Sequence, residues 1–325
     1  MTGVKRSVRL LSGATSTISP SPSATGVKPL RTASSLLVCA PIRKPSDGGA
    51  DFKVLMVKRQ ARGSFGSMHA YPGGVVDSCD SDAKWEQLTG RTLANQRIPP
   101  DTLPLRLAAL RETFEETGLF LTHPPLPLPP QTSTHWRHLI HTSGHEFHTL
   151  CTSLSAAPRV NALVLWANWI TPVAQKARFD TFFYLTVLDS AEGHDVSADG
   201  TECTEARWWT PREALEAYQR GEISLIVPQY LTLLELSHLH LSDLRSYISG
   251  ETRRTAQQLA PICPEPLSSA DGLLTMAMPG DWEYPGCSSE GSDGKPLNRV
   301  KIRVEGGRFV EIRHVCNGGE RGSKL

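Results

Sequence analysis

The segment from Pro104 to Leu119 constrains this chain more than any other. Leu107, Leu110 and Phe114 recur at intervals of three and four residues, which places one apolar stripe on a helix. Pro104 stands near the start, where a missing N–H costs little, and Gly118 stands where a glycine cap belongs. The spacing predicts a helix packed by one face against a core. The same turns carry Arg111, Glu112, Glu115 and Glu116. Offsets of three and four residues gather the three carboxylates on one face, where they repel one another. Arg111 can pair with Glu115 one turn on. Read alone, this is either a solvated acidic face or a clasp for a hard divalent cation. Oxygen ligands suit Mg²⁺ or Mn²⁺.

The flanking segments predict a mixed α/β chain. Leu36–Val38 and Phe52–Val57 read as strands joined by a Pro/Gly loop. Tyr71-Pro72-Gly73-Gly74 is a turn running into a short extended piece. Residues 80–104 are polar and broken by Gly90, Pro99 and Pro100, with one helical turn around Trp85–Leu88. Trp136–Leu150 reads as a helical insertion. Val160–Ile170 and Thr181–Leu188 read as strands, and Pro211–Arg220 and Pro228–Leu239 as helices opened by proline. Residues 263–285 read as irregular. Val300–Val304 and Phe309–Val315 alternate around Gly306-Gly307, a hairpin signal.

Charge divides the chain unevenly. Lys plus Arg is 34 and Asp plus Glu is 33, a balance that argues against a general nucleic-acid binder. The first 46 residues hold seven basic groups and no acid, so the rest holds 27 basic groups against 33 acids. Residues 1–32 are expected to be a disordered basic tail or a mitochondrial transit peptide. No stretch is apolar enough for a membrane span. Seven cysteines without a C-x-x-C spacing point to free thiols in a reduced compartment. The final residues, Ser323-Lys324-Leu325, match a peroxisomal matrix address read by an import receptor. Peroxisomal localisation is the first expectation, with a mitochondrial alternative or dual targeting.

Arg111-Glu112-Thr113-Phe114-Glu115-Glu116-Thr117-Gly118-Leu119 resembles the Nudix box, R-E-U-x-E-E-x-G-U, with Thr113 in place of the first aliphatic. Gly73-Gly74 resembles the glycines that lead into the box, but 37 positions separate Gly74 from Arg111 where the consensus has 14. The box is therefore interrupted by an insert, placed at about 78–104. No glutamate matches the acid near its start; Asp77 and Asp80 have the right charge. The interruption, together with Arg178–Tyr184 and Glu202–Trp209, resembles the branch that contains coenzyme A diphosphatases of peroxisomes and mitochondria.

The resemblance implies a Nudix-type α/β/α sandwich with a mixed sheet at 33–260, carrying inserted loops and helices. A C-terminal extension follows at 261–325. It implies hydrolysis of the diphosphate of coenzyme A or acyl-CoA to 3′,5′-ADP and (acyl)phosphopantetheine. Another nucleoside diphosphate derivative, or a non-catalytic binding module, are the alternatives. Glu112, Glu115 and Glu116 would hold the metal. Arg111, Glu112, Glu116 and Glu205 would serve catalysis, with Glu205 the acid from outside the box. Gly73, Gly74, Lys58, Arg59 and Arg62 would meet the substrate. Arg178 is expected to be a structural partner of Asp180 or a loop. His135, His138, His141, His145 and His148 are expected on the polar surface of one inserted helix rather than in a zinc site. Trp208 and Trp209 are expected as core plus one more exposed ring. Both inserts are expected beside the mouth, governing substrate choice more than stability.

Overall fold

Two strands, β1 (Arg31–Pro41) and β2 (Phe52–Arg59), pair antiparallel only at Cys39–Pro41 and Phe52–Val54 and then splay apart. Into the gap goes the turn that bears β3 (His69–Ala70) and β4 (Gly73–Val75). β3 continues along β2, and β4 runs antiparallel to β1 with Gly74 opposite Ser34. The glycine turn is thereby wedged into a fork of the sheet. This is a computed structural model. It describes residues 29–43, 50–61, 66–93, 102–175, 177–190, 195–270, 272–286, 295–306, 308–317 and 319–321. The expected tail over residues 1–28, Arg62 and Ser323-Lys324-Leu325 lie outside the described residues. Residues 31 and 32, placed in the tail by sequence, belong to β1.

The box and its insert follow. A 3-10 turn at Ser78–Ser81 leads to α1 (Lys84–Leu93) and α2 (Leu103–Thr117). Then come β5 (Thr122–His123), α3 (Pro130–Thr142), α4 (His145–Ser153) and β6 (Ala157–Pro158). β7 (Val164–Ile170), β8 (Phe179–Val187) and β9 (Cys203–Trp209) complete the main sheet. Its order is β3-β2-β1-β8-β7, with β4 on β1 and β9 on β2; the β1–β8 pair is parallel and the others antiparallel. Four helices come next: α5 (Pro211–Gln219), α6 (Val227–Leu236), α7 (Leu241–Ser249) and α8 (Ala256–Leu259). A second, antiparallel sheet closes the described chain. It comprises β10 (Glu265–Ala270), β11 (Leu273–Ala277), β12 (Asn298–Glu305), β13 (Arg308–Cys316) and β14 (Gly319–Arg321).

Strand alternation sorts the main sheet's side chains into two cores. Leu36, Val38 and Leu55 face α1 to α4, while Leu37, Cys39, Val54 and Met56 face α5 to α7. This is the expected α/β/α sandwich. The predicted stripe of α2 is buried, Leu107, Leu110 and Phe114 being at most 1% exposed. Thr113 is also fully buried. Its hydroxyl donates to the Ala109 carbonyl at 2.7 Å, so the polar atom that replaces an aliphatic is satisfied within the helix.

Several sequence expectations change here. The single helical turn at Trp85 is a ten-residue helix, and the helical insertion is two helices separated at Ser143-Gly144. Residues read as irregular supply β10 and β11, because their alternation becomes recognisable only once β12 and β13 offer an edge. The inserts are not appendages. Trp85 is 2% exposed and donates its indole N–H to the Cys79 carbonyl at 2.8 Å. Phe147 of α4 packs its ring against both Trp85 and Phe114. Arg137 of α3 donates to the Glu115 carbonyl at 2.8 Å and to the Ser197 carbonyl at 2.9 Å. The expectation that the inserts govern substrate choice more than stability does not fit this packing.

Candidate active site

The C-terminal half of α2 lies across the forked sheet, against the glycine turn. A Cβ on Gly74 would stand 2.4 Å from the Glu112 carboxyl carbon, so glycine here leaves room for that carboxylate. Gly118 adopts φ 76° and ends the helix; its N–H donates to the Phe114 carbonyl.

Arg111 organises the site from within. It is 5% exposed and makes a two-pronged bond to Asp80, Nε to Oδ1 at 2.9 Å and Nη2 to Oδ2 at 2.8 Å. Its Nη1 donates to Glu112 at 2.8 Å and to Glu115 at 2.7 Å. Burial works against the Arg111 charge, but Asp80, Glu112 and Glu115 more than offset it. Asp80 is itself held by the Asp77 N–H at 2.9 Å, in a capping box that closes the 3-10 turn. Of the two acids considered from sequence, the structure selects Asp80 as the partner of Arg111. It follows Gly74 by six positions, the spacing at which the consensus places its glutamate.

Glu116 turns away from Arg111. Its Oε2 accepts the Gly73 N–H at 3.0 Å, and its Oε1 lies 3.6 Å from Arg59 Nη1 without a hydrogen-bond donor in range. Burial, augmented by the Glu112 charge, pushes the Glu116 carboxyl up to about 8. Burial pushes Glu112 up to about 7, with Arg111 pulling the other way. Glu115 is also raised by burial, against the pull of Arg111. Three carboxylates this close cannot all ionise cheaply without a nearby cation.

The donor set fits a divalent ion. It is all oxygen, it includes an unbonded buried carboxylate oxygen, and its raised pKa values are what a bound cation would reverse. Among the described residues no three acidic, histidine or cysteine groups already converge as a cage. Arg111 draws Glu112 and Glu115 towards itself, so rotation of these side chains would complete the set.

A cleft of about 1,790 Å³ opens in front of the helix. Glu112, Glu115, Arg111, Arg59, Gly73 and Gly74 line it. Lys58 and Glu205 do not. They are cross-strand partners between β2 and β9, on the α5–α6 face. Both act on His69, which burial holds down at about 4. Sequence offsets cannot settle such a placement, because a one-residue change of register flips a side chain to the other face. Among the acids from outside the box that line the cleft, Glu202 lies nearest Arg59, its Oε2 4.0 Å from Arg59 Nη2. It stands one residue before β9, beyond a register shift at Lys58/Arg59.

The histidines also changed role. His135, His138 and His141 lie on α3, whereas His145 and His148 lie on α4. His141 and His145 line the cleft, the former 4.0 Å from Glu115 Oε2 and the latter 3.9 Å from Asp82 Oδ2. Arg178 has a structural role, donating to the Thr171 carbonyl at 3.1 Å between β7 and β8. Trp209 is 6% exposed, and Trp208 is partly buried against the α2 side of the core.

A carboxylate-bearing helix braced on a glycine turn in a mixed, forked sheet is the arrangement that the resemblance to the Nudix box implies. Comparison with known proteins agrees. Residues 90–236 match the family model of the NUDT19 Nudix domain. The chain is 32% identical to acyl-coenzyme A diphosphatase NUDT19 of Gallus gallus, covering 86% of this chain and 85% of that protein. The Homo sapiens protein of the same name is 30% identical, covering 75% of each chain. The crystal structure of a NUDIX hydrolase from Alicyclobacillus acidocaldarius shares the fold, with a TM-score of 0.55 at 24% identity, covering 68% of this chain and 96% of that one. The chain belongs to the Nudix hydrolase family and is a Nudix hydrolase. Enzymes of this family generally use divalent metals.

Proposed function

We propose that this enzyme hydrolyses the diphosphate of coenzyme A or its acyl esters, releasing 3′,5′-ADP and (acyl)phosphopantetheine. The observation that carries the reading is the Arg111–Asp80 brace, which holds Glu112 and Glu115 of α2 at the head of a cleft of about 1,790 Å³. Two relatives of similar length bear acyl-coenzyme A diphosphatase as their name. Mg²⁺ or Mn²⁺ held by Glu112, Glu115 and Glu116 would neutralise charge developing at phosphorus. Arg59, 35% exposed at the cleft, is placed to meet a phosphate oxygen. Glu202 and Glu112 are the acids placed to take a proton from the attacking water. Gly73 and Arg59 hold Glu116 in position against the sheet.

Purified protein with coenzyme A and Mg²⁺ should yield 3′,5′-ADP by chromatography, and Glu116→Gln should lower kcat by about 10²–10⁴-fold. No product from the wild type, or unchanged rates in the variant, would sink the reading. The peroxisomal address of Ser323-Lys324-Leu325 is proposed on sequence alone. A fluorescent fusion that keeps this end free should enter peroxisomes, and one lacking the tripeptide should not. Equal distribution of the two would remove the proposal.

A further inference from the structure

The cleft has a second limb that the hydrolytic reading does not use. Beyond Gly73 it turns onto the α5–α6 face of the main sheet and continues beneath the C-terminal sheet. Arg59, Arg111, Glu112, Glu115 and Glu202 line one end, and Arg31 and Glu265 are charged groups on the rest of its wall. At the other end it is lined by Trp169 and Phe183 from the main sheet and by Leu274, Met276, Ile302 and Phe309 from the C-terminal sheet. Leu274 and Ile302 are cross-strand partners, and Val304 pairs with Phe309 one row nearer the hairpin end. The lip is apolar too: Val304 is 49% and Val173 56% exposed.

The register gives the distance between the two limbs. Phe183 pairs with Ser35, and Ser35 pairs with Gly73, whose N–H holds Glu116. Two inter-strand spacings, about 10 Å, therefore separate the apolar wall from the strand beside the carboxylates. The whole cleft, at about 1,790 Å³, also exceeds the roughly 300–1,000 Å³ usual for small-ligand sites.

We infer that this limb seats the acyl chain of the substrate, and that the C-terminal sheet determines acyl-chain preference; the inference rests on the proposed diphosphatase reading. The occupant must present a diphosphate to Glu112 and an apolar chain to Leu274 and Ile302 at once. A flexible arm between the two ends lets an acyl-CoA do so. A sugar or second nucleoside would leave the apolar limb in water, and a docking protein would gain nothing from its continuity with the carboxylates. Residues 261–321 would then be a specificity element.

The test is kcat/KM against chain length, from free coenzyme A to the dodecanoyl ester below its micelle concentration. Wild type should rise with length, by up to about fourfold for each methylene the limb takes from water. Leu274→Asp and Val304→Asp should each lower kcat/KM for dodecanoyl-CoA by about tenfold or more, and leave free coenzyme A within about twofold. A flat wild-type profile, or equal losses on both substrates, overturns the inference. Val304 is half exposed, so that variant carries the test if Leu274→Asp fails to fold. Absence of coenzyme A turnover by wild type would instead remove the diphosphatase reading. Calorimetry of dodecanoyl-CoA against coenzyme A then decides the limb separately, and equal affinities would refute it.

Discussion

Arg111 shows how a single residue converts repulsion into order. Its guanidinium accepts the cost of burial because Asp80 and two glutamates surround it. Asp80→Ala would leave that cation buried without its main partner. The expected loss is about 3–5 kcal/mol in denaturant unfolding, with turnover lost as Arg111 swings away. A loss below about 1 kcal/mol would mean that the pair contributes little. Glu112 and Glu116 make the opposite prediction for pH. Their folded values, about 7 and about 8, lie above the ordinary 4.5. Between these limits the native state holds more protons than the unfolded one. Metal-free protein should therefore lose stability as pH rises from about 4.5 to about 8. Glu116→Gln should flatten part of that slope in thermal melts. Mg²⁺ should raise the melting temperature most at the alkaline end, where protons no longer compete for the carboxylates. An unchanged slope in the variant would contradict the buried placement of Glu116.

At the scale of elements, the close approach of α2 to β4 is the critical contact. Gly74→Ala puts a methyl group within 2.4 Å of the Glu112 carboxyl carbon, so that carboxylate must swing out of its place beside the turn. Activity should fall by about 10²-fold, the usual consequence of displacing a reacting group by an ångström, and circular dichroism should remain close to wild type. The insert makes a different prediction. Trp85 of α1 lies in the core beside Phe147. Trp85→Ala should cost about 3–5 kcal/mol in urea titration. A substrate-selecting flap would cost far less and alter specificity instead. The core periodicity of α2 was legible from sequence because helix spacing alone generates it. The depth of α1 was not, because a polar ten-residue segment reveals its one buried ring only when α4 and the core are in place.

For the whole molecule, the two-sided burial of the main sheet depends on both ends of the described chain. The C-terminal sheet covers the α5–α6 side with Met276, Val300, Ile302 and Ile312, all at most 8% exposed. Arg299 anchors it by a bond to Asp281 at 2.8 Å, and Asp281 is itself fully buried. Truncation after residue 260 should therefore yield insoluble protein rather than a smaller active enzyme, as judged by soluble yield and melting. A soluble, cooperatively folding truncation would show that the sheet is an accessory. No described helix is long and apolar enough to cross a membrane. The acidic balance of the chain after residue 46 agrees with the proposal that an anionic substrate would need a bound cation and local groups such as Arg59.

What the amino-acid sequence determined by itself was local. Spacings of three and four residues in Arg111–Gly118 settled the helix, its buried stripe and its carboxylate face. The proline and glycine punctuation settled the turn at Gly73-Gly74 and the helix starts near Pro104, Pro211 and Pro228. The tertiary structure alone decided which distant groups join that face. It selected Asp80 for Arg111, brought Glu202 rather than Glu205 to the cleft, and turned Lys58 to the far side. It also made cleft walls of His141 and His145 and added two strands, from residues that looked irregular, to the expected hairpin in a five-stranded sheet. The physical reason is the same in each case. Helix periodicity is carried by neighbours in sequence, whereas strand register and the fork in the sheet are set by partners as distant as Val54 and Trp209, and one residue of offset exchanges the two faces.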